Sequence, residues 1–228
     1  MTTNFPTSLD AFTNPSATDA MDSVTVPHAT QHADLNDAVE ALEAKVGVDG
    51  SAVTTSLDYQ VANQGLTFIK SVTVGSGVSS VTVTDAFSST FQNYKIMFDS
   101  LYCSVNGYNV YMRVGNNGTP YTGADYWGGG YALLYSGTVN TFPQYGSTQL
   151  HVAYTTPTIN RTSFSFDVLA PYDTSASTSM MGFAGGYLSG FWWSYLFSPT
   201  NRVTDLQFIA DVGTFSGGTI RVYGYNNG

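Results

Sequence analysis

The sequence predicts a mainly β protein, in which an antiparallel β-sandwich of jelly-roll type follows an extended arm and a short coiled-coil helix. Three observations predict this organisation. Beyond residue 65, apolar and polar residues alternate in eight or more short runs, which Gly, Asn, Pro and Ser clusters separate. Residues 28–46 instead repeat apolar positions at steps of three and four, and residues 1–27 have no period.

Composition excludes several classes of protein. Only 10% of the 228 residues are charged, 43% are hydrophobic, and the net charge is −9. Disorder of the whole chain is therefore excluded, and so is a nucleic-acid binder that works through a basic face. Residues 186–197 are the most apolar stretch and are too short to span a membrane. The first residues lack the basic and apolar parts of a signal peptide, so we expect folding in the cytoplasm.

The charge is distributed unevenly along the chain. Residues 1–58 contain nine acidic residues and one basic residue, whereas residues 59–228 contain seven acidic and six basic residues. All but two of the Phe, Tyr and Trp residues lie in the second part. The chain is therefore expected to have an acidic N-terminal part with little core and a nearly neutral C-terminal part with a large core.

Residues 1–27 are predicted to form an extended anchoring arm. They are rich in Thr, Ser, Asn, Asp and Ala, and three prolines interrupt any helix. A few apolar side chains are spaced as anchors on a partner surface; the candidates are Phe5, Leu9, Phe12 and Met21. The alternative interpretation is a tail without fixed structure.

Residues 28–46 are predicted to form one helix with a narrow heptad seam and acidic flanks. A coiled coil of fewer than three heptads is marginal by itself, so other contacts must help to hold the strands together. The alternative is a single amphipathic helix docked on its own globular domain. The two histidines of the seam are expected to be plain core or rim residues rather than ligands of an ion. The seam comprises His28, His32, Leu35, Val39, Leu42 and Val46.

Residues 47–65 are predicted to be a Gly- and Ser-rich linker with one short strand, and residues 66–228 to be the β-sandwich. A search for catalytic chemistry in the sandwich finds no Glu and only scattered Asp residues. His151 has no pattern of a catalytic triad around it, and Cys103 is expected to be a small buried hydrophobe. Zinc, calcium and phosphate-binding motifs are missing from the sequence. We therefore expect no enzyme, no cofactor and no metal site.

Two aromatic segments of the sandwich are candidates for binding. Residues 115–131 are predicted to be a Gly- and Asn-rich loop whose aromatic side chains could stack on a sugar, and the alternative is an ordinary loop with its aromatics packed inward. Residues 186–197 contain adjacent tryptophans, which point to opposite faces of a strand, so one of them is expected to fill the core and an exposed one to suit a subunit interface. The candidate glycan contacts are Tyr121, Tyr126, Trp127 and Tyr131, and the candidate interface residues are Trp192 and Trp193.

The first 61 residues resemble the leader of virion proteins from tailed bacteriophages, which include minor tail, tail-fibre and head-fibre proteins. Residues 5–9 (FPTSL) and 32–45 (HADLNDAVEALEAK) carry the resemblance, and residues 218–225 (GTIRVYGY) are more weakly similar to the last strand of phage β-sandwich tips. The resemblance implies a homotrimer located in the virion, attached by its leader to a tail or capsid protein. It also implies a trimeric coiled coil and an outward β-rich end, and no catalytic residue is transferred by it.

Three hypotheses follow. The first is a homotrimeric fibre or spike whose tip contacts host-surface polysaccharide. The second is a capsid-bound head fibre or decoration protein without a receptor role. The third, a polysaccharide depolymerase, is disfavoured because the sandwich has few candidate acids.

Overall fold

The computed structural model describes residues 4–5, 7–8, 18–24, 27–105, 109–154, 161–185 and 189–226. The chain divides into two compact units, one up to residue 64 and one from Gly65 to residue 227. In the described part of the predicted arm, short turns form where the Thr7 and Ser8 amides donate to the Asn4 carbonyl. Phe5 is half-buried and Met21 is exposed, whereas the predicted anchors Leu9 and Phe12 lie outside the described residues.

Helix α1 (His28–Val46) occupies the residues of the predicted helix. It begins directly after Pro27 and ends at Gly47, which has a φ of +87° and whose amide donates to the Glu43 carbonyl at 2.8 Å. The aliphatic side chains of the heptad seam remain 44–58% exposed, and both seam histidines are exposed. The helix therefore carries an apolar stripe that the described part of the chain leaves about half exposed. Its assembly into a coiled coil stays a prediction.

Helix α2 (Leu57–Ala62) replaces the short strand that was predicted in residues 47–65, so that prediction is wrong. Ser56 caps this helix, because its hydroxyl oxygen accepts the Tyr59 amide at 3.3 Å. The Asp58 carboxylate accepts the Ser51 amide at 2.9 Å and fixes the preceding turn. The Ser56 cap and the turn that Asp58 fixes thus favour a helix over an extended segment. No helix among the described residues is long and apolar enough to cross a membrane.

Among its described residues, the second unit has strands as its only regular secondary structure, as the period-two pattern predicts. The strands are β1 (Leu66–Thr73), β2 (Ser80–Val83), β3 (Asn93–Cys103), β4 (Asn109–Asn116), β5 (Thr119–Pro120), β6 (Tyr126–Leu134), β7 (Val139–Ser147), β8 (Leu150–Tyr154), β9 (Thr162–Leu169), β10 (Thr178–Gly185), β11 (Ser189–Phe197), β12 (Asp205–Ala210) and β13 (Phe215–Tyr225).

These strands form two antiparallel sheets. The large sheet has the order β1-β13-β3-β9-β10-β11-β6-β7, and the small sheet has the order β2-β12-β4-β5 with β8 also paired to β4. The mainly β, antiparallel prediction is confirmed, whereas the jelly-roll topology stays a prediction. Strands β1 and β7 are the edges of the large sheet.

The core lies between the two sheets and is largely aromatic. Phe98, Phe164 and Phe208 are buried, and their ring centroids lie 4.9–5.9 Å apart. Each buried ring of this kind contributes about 1.5–3 kcal/mol through removal of apolar surface from water. Alternation along each strand therefore turns one row of side chains into this core and the other row towards the outer face of the sheet.

Strand β11 is also tied to the small sheet by hydrogen bonds. The Trp193 indole N–H donates to the Val152 carbonyl at 3.1 Å, and the Tyr195 hydroxyl donates to the His151 carbonyl at 2.7 Å. Both side chains belong to the inner row of β11 and both carbonyls to β8. These bonds fix which face of β11 points inward, and so which face points out.

Candidate interaction surface

The adjacent tryptophans of β11 have different surroundings. Trp193 is 4% exposed and fills the core, so its prediction as a subunit-interface residue is wrong. Trp192 is 42% exposed on the outer face of the large sheet. The physical reason is the pleat of the strand, which turns successive side chains to opposite faces.

The prediction that residues 115–131 form one long loop is wrong. These residues contain the end of β4, the two-residue strand β5 and the first six residues of β6. Tyr126 is fully buried and its hydroxyl donates to the Tyr121 carbonyl at 2.8 Å, so it cannot contact a glycan at the surface. Tyr121 is half-buried and stacks on Phe197 with ring centroids 5.0 Å apart. Neither ring belongs to an open sugar-binding surface.

The structure brings Tyr131 of the predicted glycan site together with Trp192 of the predicted interface. The two residues are cross-strand neighbours on β6 and β11, and their rings stack with centroids 5.4 Å apart and planes at 19°. Phe183 on β10 is the cross-strand neighbour of Trp192 on the other side and is 53% exposed. We call Phe183, Trp192 and Tyr131 the aromatic row. Two predictions that the sequence treated separately thus concern one surface.

Trp127 lies four residues before Tyr131 on β6, on the same outer face. It is half-buried because its indole packs edge-on against Tyr145 of β7, with ring centroids 4.4 Å apart. Phe183 was missed as a candidate by the sequence analysis. The signal for it was available, because Met181 and Phe183 alternate with inward residues along β10 and both are exposed.

The outer face of the large sheet has two chemically different halves. Strands β10, β11, β6 and β7 contain no Asp, Glu, Lys, Arg or His, and we call them the uncharged half-sheet. The strands of the other half, β1, β13, β3 and β9, carry two ion pairs, Lys95 with Asp167 and Arg221 with Asp99. The aromatic row lies entirely in the uncharged half-sheet.

A shallow groove of about 350 Å³ runs beside the aromatic row. Gly129 and Ser194 lie at its floor, and Tyr131, Trp192 and Met181 form its walls. Gly129 leaves this space open because it has no side chain. A Cβ there would point to the outer face and would lie 3.3 Å from the Phe142 carbonyl oxygen and 3.6 Å from the Pro143 Cα. The groove is therefore apolar and offers few hydrogen-bonding groups.

Several ionisable groups of the sandwich are buried within the fold and do not face an open cleft. Burial lowers the pKa of His151 to about 4. The hydrogen bond to the Ala153 carbonyl and the charge of Asp211 raise this pKa, but their effects are smaller than that of burial. Burial raises the pKa of the Cys103 thiol to about 11. The Asp205 carboxylate accepts the backbone amides of Asp85 and Gly118. These groups hold the fold together rather than line a cleft.

Metal ligation has no geometric support in the part of the chain that the structure describes, where no three His, Cys, Asp or Glu side chains are grouped to hold an ion. His28 and His32 of α1 lie edge to face with ring centroids 4.4 Å apart and their Nε2 atoms at 3.1 Å. Two exposed imidazoles from one chain supply at most half of the ligands of a four-coordinate metal site, so we assign both histidines to the heptad seam.

No protein-family model matches the chain, and a search of curated proteins returns no significant match.

Proposed function

We propose that the protein is a structural component of a phage particle, a homotrimeric fibre or spike that the N-terminal arm attaches to the virion. In this proposal α1 forms a trimeric coiled coil, the arm extends over a virion partner, and the β-sandwich, with a jelly-roll topology, is the outward tip. The observation that carries the proposal is the exposed heptad seam of α1, together with the resemblance of the leader to phage virion proteins.

The exposed aliphatic side chains of the heptad seam support self-assembly. Leu35, Val39, Leu42 and Val46 lie along one stripe of α1 and remain about half exposed. Exposed aliphatic surface costs free energy in water, at roughly 25 cal/mol per Å². Burial in a helical seam between copies recovers this free energy, and heptad spacing is the pattern that places the stripe between parallel helices.

The division of charge supports different tasks for the two units. The first 58 residues carry nearly all of the net charge, whereas the sandwich is almost neutral. Acidic side chains of α1, among them Asp37 and Glu40, lie outside the seam and keep the helix soluble without opposing apolar contacts within it. We therefore assign attachment to the N-terminal unit and the exposed role to the sandwich.

A non-catalytic role is supported by what the aspartates of the sandwich do. Asp99 and Asp167 pair with Arg221 and Lys95, and the Tyr225 hydroxyl donates to Asp167 at 2.6 Å. Glycoside hydrolysis needs two facing carboxyl groups, one of which is held protonated by its environment. Carboxylates that pair with cations in this way suit a scaffold better than a pair of facing catalytic acids.

The second candidate is a capsid-bound head fibre or decoration protein that has no receptor. The apolar character of the groove favours it, because recognition of host-surface polysaccharide needs polar groups that read sugar hydroxyls. Both candidates place the protein in the virion and share the trimer and the anchoring arm. They differ only in the particle surface that the arm contacts and in what the tip binds.

The trimer can be tested by light scattering of the full chain at micromolar concentration. We expect a trimer for the wild type and a smaller species for Leu42→Asn, which places an amide in the seam. Leu57→Asn is the matched control, because Leu57 is equally exposed at 47% but lies on α2. A monomeric wild type would refute the coiled coil and the fibre.

The anchoring role can be tested by deletion of residues 1–27. We expect the shortened protein to form the same oligomer and to be missing from assembled particles. Particles that still carry it would contradict attachment by the arm. Electron microscopy of particles with a label on the protein would then distinguish a tail location from a capsid location.

A further inference from the structure

The uncharged half-sheet exposes side chains of a kind that proteins usually bury. Its outer face presents the aromatic row together with Met181 and Leu133, and none of its four strands contains a charged residue. Centres of protein interfaces are depleted in charge and enriched in aromatic residues and Met, whereas solvated faces carry charges of both signs. The composition of this face is that of an interface.

The exposed apolar area of this face is large for a monomer. Phe183, Trp192 and Tyr131 are 53%, 42% and 47% exposed. Since an aromatic side chain buries roughly 150–250 Å², these three leave roughly 250 Å² open, and the other apolar residues of the face raise this to roughly 500 Å² or more. A patch of that size is at the upper end for a monomer and approaches the roughly 800 Å² per partner of a standard interface.

The aromatic row is also held in place before any partner arrives. Tyr131 stacks on Trp192, and the Trp192 indole lies over Gly190, where a Cβ would come within 2.6 Å of the ring. Side chains fixed in this way lose little conformational entropy when they are covered. The face is therefore rigid as well as apolar.

We propose that neighbouring copies of this chain cover the uncharged half-sheet, so that the β-sandwiches form a second interface in the trimer. This inference rests on the proposed homotrimer and explains how it is held together, since a seam of fewer than three heptads is marginal by itself. Copies of the same chain suit the face because uncharged surfaces meet without desolvating charges. Coverage would also protect β7, an edge strand that no charged residue guards.

A carbohydrate is the competing occupant of the groove. Stacking on Tyr131 or Trp192 is available to a sugar ring. However, the side chains that line the groove offer only the hydroxyls of Ser194 and Tyr131 and the indole N–H of Trp192 as free polar groups, and the ion pairs lie on the other half of the sheet. Sugar recognition usually relies on a larger set of polar groups, so the observations favour an apolar protein surface.

The test uses full-length Phe183→Ser and Ser194→Lys. The first variant removes a ring from the aromatic row, and the second adds a charge at the exposed floor of the groove. Phe68→Ser is the matched control, because Phe68 is 55% exposed on the outer face of β1, in the half of the large sheet that carries the ion pairs. The readout is the protein concentration at which the trimer dissociates, measured by analytical ultracentrifugation.

We expect both variants to raise that concentration by about tenfold or more, as loss of a central interface side chain does, and the control to leave it unchanged. Circular dichroism verifies folding; if Phe183→Ser unfolds, Ser194→Lys carries the test, since its side chain points to solvent. A trimer that dissociates at the wild-type concentration in both variants would refute this inference alone. A wild type that never forms a trimer would refute the proposed function as well.

The glycan alternative has its own readout. If the trimer is unaffected, binding of a neutral glucan to the wild type and its loss in Trp192→Ser would assign the face to carbohydrate and overturn the proposal. Weakened trimers in both variants, with no glucan binding by the wild type, would support it.

Discussion

The buried histidine of β8 predicts a specific pH dependence of stability. His151 is 3% exposed, and its ring packs between Phe142 and Phe191 with centroids 4.9 and 4.8 Å away. Its Nε2 hydrogen-bonds to the Ala153 carbonyl at 3.1 Å. Burial disfavours the charged imidazolium and lowers the pKa from 6.5 to about 4. The folded protein therefore keeps this ring neutral at pH values where the unfolded chain protonates it.

The sign of the effect follows from proton binding. Between pH 6.5 and about pH 4 the unfolded state binds the proton and the folded state does not, so stability is complete above this window and falls as the pH falls through it. A pKa difference of this size corresponds to about 3 kcal/mol, of which about 2–3 kcal/mol is lost between about pH 7.5 and about pH 4.5.

The assay is urea unfolding of the wild type and of His151→Gln at these two pH values. Tryptophan fluorescence reports on the sandwich, because all three tryptophans lie in it. We expect the free energy of unfolding to fall by about 2–3 kcal/mol more in the wild type than in the variant. The double variant His28→Gln/His32→Gln, which changes only exposed histidines of α1, should keep the full dependence. Parallel pH dependences of the wild type and His151→Gln would refute the buried, neutral ring.

Three further predictions concern the core. Phe98→Ala should lower the free energy of unfolding by about 3–5 kcal/mol in urea, because the ring is fully buried among other rings. Gly182→Ala should cost about 1–3 kcal/mol in the same measurement, since its Cβ would lie 2.4 Å from that of Phe166, whereas Gly185→Ala, with nothing within 4 Å, should be nearly neutral. Cys103 should react with a thiol reagent only after denaturant is added, because burial raises its pKa to about 11; rapid labelling of the native protein would contradict its placement.

The sequence predicted the faces of strands better than it predicted their partners. Alternation identified Tyr94, Ile96 and Phe98 as one face of β3, and the structure buries all three. It could not show that β3 lies between β13 and β9, because a period of two reports which way a side chain points and carries no information about which strand lies beside it.

The errors in the candidate site have a related cause. Gly128, Gly129 and Gly130 were interpreted as part of a loop because glycine is common in turns. In the structure they lie within β6, where a Cβ at Gly130 would come within 2.9 Å of the Cβ of Trp193. The reason for that glycine is the close approach of β11, which lies far away in the chain and whose Trp192 carbonyl oxygen would be only 2.6 Å from the same Cβ. Local pattern therefore could not distinguish a loop from a strand that makes room for its neighbour.

The sequence by itself determined the features that depend on neighbours in the chain. The extent of α1 follows from apolar spacing at three and four residues between Pro27 and Gly47, and the mainly β class of the remainder follows from alternation. Tertiary structure alone decided that β6 and β7 lie next to β10 and β11, and that Trp192 faces out while Trp193 faces in. The physical reason is that the uncharged half-sheet exists only because the order of strands in the sheet places β10, β11, β6 and β7 side by side. Strand order depends on how the whole core packs, whereas helix spacing and strand alternation are set within a few residues.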